Sequence, residues 1–78
     1  MARELDTVIL KVDLPESGLR AGDLGTVVLV HQGGAAYEVE FATLDGETIA
    51  VNSLLREQVR PIGRREIAHA RPVEPIPA

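Results

Sequence analysis

Few side chains in this sequence are equipped to do chemistry. Two serines, Ser17 and Ser53, and two histidines, His31 and His69, are the material for a nucleophile and its base. Ser17 stands in Pro15-Glu16-Ser17-Gly18, where a serine hydroxyl serves turn geometry. Ser53 follows Asn52 and reads as a cap or turn residue. The histidines fall on a hairpin tip and in the C-terminal tail. No His-x-x-x-His or His-Glu spacing offers a metal its ligands. The absence of cysteine removes a thiolate nucleophile, a thiolate metal site and a disulfide.

Carboxylates are the next candidates. Glu38 and Glu40 share one face of a strand. Paired acids exchange protons in catalysis only in a cleft that perturbs their pKa values. On an open face they are solvated charges that also keep sheets from stacking on one another. Asp23 lies between Gly22 and Gly25, and glycines free backbone amides to bind anions. An acidic side chain there opposes phosphate, so Gly22-Asp23-Leu24-Gly25 reads as a structural turn. These residues predict a protein that is not an enzyme, with no catalytic residue, no metal and no cofactor.

Charge bounds the partners. The chain has 78 residues with 12 Asp and Glu against 8 Lys and Arg, a net charge of −4. Nine acids and three bases lie in residues 1–53, and three acids and five bases in 54–78. An acidic body is repelled by phosphate backbones, whose neutralisation supplies most nucleic-acid affinity. No apolar run approaches the roughly 20 residues of a membrane span. The opening Met1-Ala2-Arg3-Glu4-Leu5-Asp6 lacks the apolar stretch of a signal peptide, which predicts a cytoplasmic protein.

The elements that must position these groups are short strands. Residues 7–12 alternate, with Val8, Leu10 and Val12 on one face. Residues 13–23 hold a proline, two glycines and a serine and form an ordered loop, with Leu14 and Leu19 turned back onto the core. Residues 25–30 are apolar on both faces, as expected of a central strand bent across the core. Residues 31–35 make a hairpin connection in which Gly33-Gly34 accept positive φ. In residues 37–41, Tyr37, Val39 and Phe41 point inward and Glu38 and Glu40 outward. Asp45-Gly46 marks a tight turn. Residues 47–51 are the fourth strand, and Asn52-Ser53-Leu54-Leu55 reads as one helical turn. Residues 58–62 are the last strand, which lies at an edge or ends at Pro61, because proline cannot donate to a ladder. Phe41 is expected to be the largest buried side chain, flanked by Val39, Val28 and Leu10.

The composition changes after Ile62. Residues 64–70 have the makings of one or two helical turns. Residues 72–77 carry three prolines and read as extended polyproline-like chain or as disorder, with Pro72-x-x-Pro75 a potential ligand for another domain. The expected organisation is a barrel over residues 1–62 and an extended or partly helical tail over 63–78 that folding does not need.

Five short strands, a long first loop and two tight turns describe an all-β, five-stranded barrel. This succession resembles the SH3-like barrel over residues 5–62. Gly22-Asp23-Leu24-Gly25-Thr26-Val27-Val28 is similar to the turn and strand of many such barrels, including KOW-type domains. With Leu5-Asp6-Thr7-Val8, Asp13-Leu14-Pro15 and Tyr37-Glu38-Val39-Glu40-Phe41, the order resembles a family of small uncharacterised bacterial proteins known only as a domain of unknown function. The resemblance implies a fold and no activity.

By elimination the leading expectation is a protein-interaction module. It would be an accessory subunit or an antitoxin- or immunity-like partner of a larger bacterial protein, or a homo-oligomer formed through strand edges or the tail. The expected contact residues are Glu38, Glu40, His31 and Gln32. Gly22, Asp23, Gly25, Gly33, Gly34, Asp45 and Gly46 are assigned to turns. A groove for proline-rich peptides needs exposed aromatics, and Tyr37 and Phe41 fall on the core face. The alternative is a KOW-like nucleic-acid-binding barrel, for which only Arg20, His31 and Gln32 on the loops are suited.

Overall fold

The computed structural model describes residues 2–73. Five strands form one antiparallel sheet: β1 (Thr7–Leu10), β2 (Leu24–His31), β3 (Ala36–Ala42), β4 (Thr48–Leu55) and β5 (Val59–Pro61). The order across the sheet is β4-β3-β2-β1-β5. No α-helix occurs among the described residues; two 3-10 turns, η1 (Pro15–Ser17) and η2 (Arg56–Gln58), complete the elements.

Connectivity forces this sheet to curl. β4 and β5 lie on opposite edges, yet only η2 separates them in the chain. Four residue steps span at most about 15 Å, whereas four strand spacings of a flat sheet measure about 19 Å. The edges must therefore bend toward each other, although no ladder of hydrogen bonds closes the ring. Bulges between Val27 and Leu29 and between Phe41 and Ala42 sharpen the bend. Gln58 secures the corner by accepting the Leu55 N–H through its side-chain oxygen at 2.8 Å.

The concave face is the core: Val8 and Leu10 from β1, Val27 from β2, Tyr37, Val39 and Phe41 from β3, Leu54 from β4 and Val59 from β5, capped by Leu19. The perfect alternation of β3 is realised as expected, and Leu14 and Leu19 do fold back, bridging to each other across the first loop. β2 is the middle strand and β5 an edge strand, as the apolar run and Pro61 require.

Several expectations need correction. Residues 52–55 are not helical. They continue β4 in register with β3 through Leu55↔Ala36, and the helical turn comes one step later as η2. β1 ends at Leu10, which leaves Val12 at the surface. Val28 falls at the β2 bulge and is 41% exposed, so it does not flank Phe41 in the core. Tyr37 is buried as deeply as Phe41 and is the larger side chain. Gly25 is a strand residue paired with Val8, and what it provides is close approach rather than a turn. Residues 64–70 form no helix. A turn at Arg64–Arg65 is tied by Glu66, which accepts from the Gly63 N–H and pairs with the Arg60 guanidinium at 2.9 and 2.7 Å. The proline-rich stretch beyond Val73, with Pro75 of the Pro72-x-x-Pro75 motif, lies outside the described residues.

Candidate functional site

The convex face of β2, β3 and β4 carries most of the expected contact residues, and the ladder fixes their neighbours. Residues directly opposite in an antiparallel pair share a face. Three rows result: Thr26, Glu40 and Val51; Leu29, Glu38 and Ser53; His31, Ala36 and Leu55. Glu38 and Glu40 therefore point away from the core, two residues apart on one strand. Around them stand Leu29, Val51 and Leu55, exposed at 44%, 54% and 56%.

Glu38 is the hub of the middle row. Its Oε2 accepts from Ser53 Oγ at 2.6 Å and meets His31 Nε2 at 2.7 Å. The Ser53 hydroxyl and then the His31 ring hold its carboxyl below the ordinary glutamate value. Glu40 is fixed separately, accepting from Thr48 Oγ1 at 2.7 Å. Gln32 stands at the hairpin tip with a φ of +49°, followed by Gly33 and Gly34 at +69° and +110°.

A serine, a carboxylate and a histidine are thus within bonding reach, but the order is wrong for nucleophilic catalysis. In a hydrolytic triad the histidine takes the serine proton and the carboxylate orients the histidine. Here both side chains bond the carboxylate, and Ser53 gives its proton to Glu38 rather than to His31. The arrangement holds a charge in place on an open face. Among the described residues no three His, Cys, Asp or Glu side chains cluster to hold a metal ion, and no helix is long and apolar enough to cross a membrane.

The turn residues separate from this face. Gly22 and Gly46 have positive φ of +99° and +97°. Asp45 accepts from Thr43 Oγ1 at the β3–β4 turn. Asp23 has a second role that the turn reading does not contain. Its carboxylate receives Arg71 from the tail, Nε to Oδ1 at 2.8 Å and a terminal nitrogen to Oδ2 at 2.5 Å. Burial pushes this carboxyl up, but the bonds from Arg71 and the Arg20 N–H, with both guanidinium charges, outweigh burial and hold it below its ordinary value.

Residues 4–61 match the family model of a domain of unknown function, DUF4926. The chain belongs to the DUF4926 family. No curated protein and no solved structure matches it. All three rows of the convex face lie within the DUF4926 match, and Arg71 lies beyond it. The residues of the face that the sequence did not single out are Leu29, Val51, Leu55 and Thr48, with Ser53 assigned to a cap. The signal was present: Val51, Ser53 and Leu55 alternate with the period of a strand, and reading 52–55 as helical hides it.

Proposed function

We propose that this DUF4926 protein is a non-catalytic protein-interaction module, an SH3-like barrel that meets a basic protein partner through the convex face of β2, β3 and β4. The observation that carries the reading is the setting of Glu38 and Glu40. Two carboxylates held by hydroxyl and imidazole neighbours are ringed by Leu29, Val51 and Leu55, all about half exposed. Apolar groups around fixed charges suit a protein interface, where area supplies affinity and charge supplies orientation and rate. A role as accessory subunit or immunity-like partner of a larger cytoplasmic protein fits such a surface.

The rival reading, a nucleic-acid barrel, draws on Arg56 and Arg60, which line a recess of about 260 Å³ with Tyr37 and Val59. It is disfavoured because Arg60 already spends its charge on Glu66 through two hydrogen bonds.

The test is binding kinetics at low and high salt with a partner recovered by pull-down from the native host. Glu38→Lys with Glu40→Lys should slow association about tenfold at low salt and flatten its salt dependence, with the fold intact. Tight, salt-sensitive binding to RNA or DNA, lost on replacing Arg20, Arg56 and Arg60, would overturn the proposal.

A further inference from the structure

A second site lies at the mouth of the first loop, where the tail crosses the barrel. Asp23 is the centre of it. Its backbone is fixed to β1: the Leu10 N–H donates to the Asp23 carbonyl at 2.9 Å, and the adjacent Gly22 N–H donates to the Leu10 carbonyl at 2.7 Å. Its carboxylate is aimed by the Arg20 N–H, which donates to Oδ2 at 2.8 Å. Every one of these groups belongs to the barrel, so the carboxylate is positioned before any tail arrives. Arg71 then bonds both carboxylate oxygens and reaches the Gly18 carbonyl at 3.1 Å. Two-point capture of a guanidinium is the strongest and most directional of exposed ion pairs. The pair is shielded here, with side-chain exposures of 24% for Arg71 and 18% for Asp23.

Beside this clamp runs a groove of about 540 Å³, walled on the barrel side by Leu19, Leu24, Phe41 and Ile49 and on the tail side by Pro72 and Val73. The stretch leading into the clamp is tied to the barrel only at Glu66, which pairs with Arg60. All of residues 61–70 are exposed, and Ile67 is 94% exposed. The segment is thus anchored at Arg71, with Pro72 and Val73 facing the apolar wall across the groove.

We infer that the Asp23 clamp and its groove form a binding site for an extended peptide segment bearing arginine followed by apolar residues, and that the protein's own tail occupies the site until such a segment from a partner protein displaces it. The inference is independent of the convex-face reading, since the two sites share no residue. The tail supplies the chemistry of the ligand: a guanidinium for Asp23 and Gly18, then proline and a β-branched side chain for the wall. Proline suits the position because its fixed φ lowers the ordering cost of an extended segment.

A tethered competitor sets the arithmetic. A short flexible linker presents its segment at an effective concentration in the millimolar range. A free peptide with a dissociation constant on the order of 100 µM is then weakened about tenfold by the tail. The probe is a synthetic peptide of residues 66–73, measured by NMR titration against the full chain. It should bind the Arg71→Ala protein at least tenfold more tightly than the natural chain, with shifts at Asp23, Leu24 and Ile49. The same peptide carrying Arg71→Ala should fail to bind the Arg71→Ala protein, a control that leaves the barrel untouched. Asp23→Asn combined with Arg71→Ala should abolish binding of the natural peptide. Equal affinity of natural and Arg71→Ala chains, or binding that survives loss of the peptide's arginine, would overturn the inference. Loss of convex-face binding in Glu38 and Glu40 variants would leave this result unchanged.

Discussion

A Cβ at Gly25 would stand 2.5 Å from Val39 Cγ1, 2.8 Å from Phe41 Cε1 and 3.1 Å from the Glu40 carbonyl oxygen. Two of those groups are core side chains with no exposed surface to retreat into, and the third is backbone. Gly25→Ala should therefore cost about 1–3 kcal/mol by overpacking, visible as a lower urea midpoint with an unchanged slope. On β3 the two faces separate as sharply. Phe41 is 2% exposed, and Phe41→Ala should cost about 3–5 kcal/mol. Glu40→Ala, one residue away on the convex face, loses only the bond from Thr48 and should change stability by less than about 0.5 kcal/mol. Denaturation of both variants checks the register, because a slip of one residue would exchange their effects.

The end of the tail is held by one shielded ion pair, Arg71 with Asp23, which makes its docking dependent on pH. The folded Asp23 carboxyl lies below its ordinary value of 3.8. A depressed carboxyl contributes its full stabilisation above that ordinary value and loses it as pH falls toward the folded value. The Arg71 Nε–H resonance and the shifts of Val73 should hold steady from pH 7 to about 5. They should start toward undocked positions only as the pH falls below that ordinary value, while the core resonances stay in place. Element β4 teaches a different lesson. Asn52 and Ser53 have the chemistry of helix caps, but Asn52 Nδ2 donates to Ser17 Oγ at 3.1 Å and Ser53 is turned to Glu38. Partners from distant parts of the chain claim both side chains, and the strand runs on.

At the scale of the molecule, the core is complete between Val8 and Val59. Truncation after Ile62 should leave a single cooperative transition in calorimetry. It removes the shielded Arg71–Asp23 pair, worth roughly 1 kcal/mol, so the midpoint should fall by about 4–8 °C. Loss of cooperativity would make the tail part of the folding unit. The same scale explains why the curl depends on so few residues: η2 ties the two sheet edges together with three residues, and two bulges absorb the remaining bend.

The local signals in the sequence were enough for the β class, the inward triad Tyr37, Val39 and Phe41, the outward Glu38 and Glu40, the glycine turns at 33–34 and 46, and Pro61 at an edge. Each follows from a period of two or from a backbone conformation that one residue type alone accepts comfortably. Three things waited for the tertiary structure. The bulge after Val27 turned Leu29 outward beside Glu38, where strict alternation from Val27 would have placed it inward, because a bulge shifts the alternation by one residue and leaves no mark in composition. Leu29, Val51 and Leu55 came to surround Glu38 and Glu40 only when three strands set their register. Arg71 found Asp23 across 48 positions of sequence. Pairings over that distance are decided by how the sheet curls and where the tail leaves it, and neither charge is marked for the other by its neighbours in the chain.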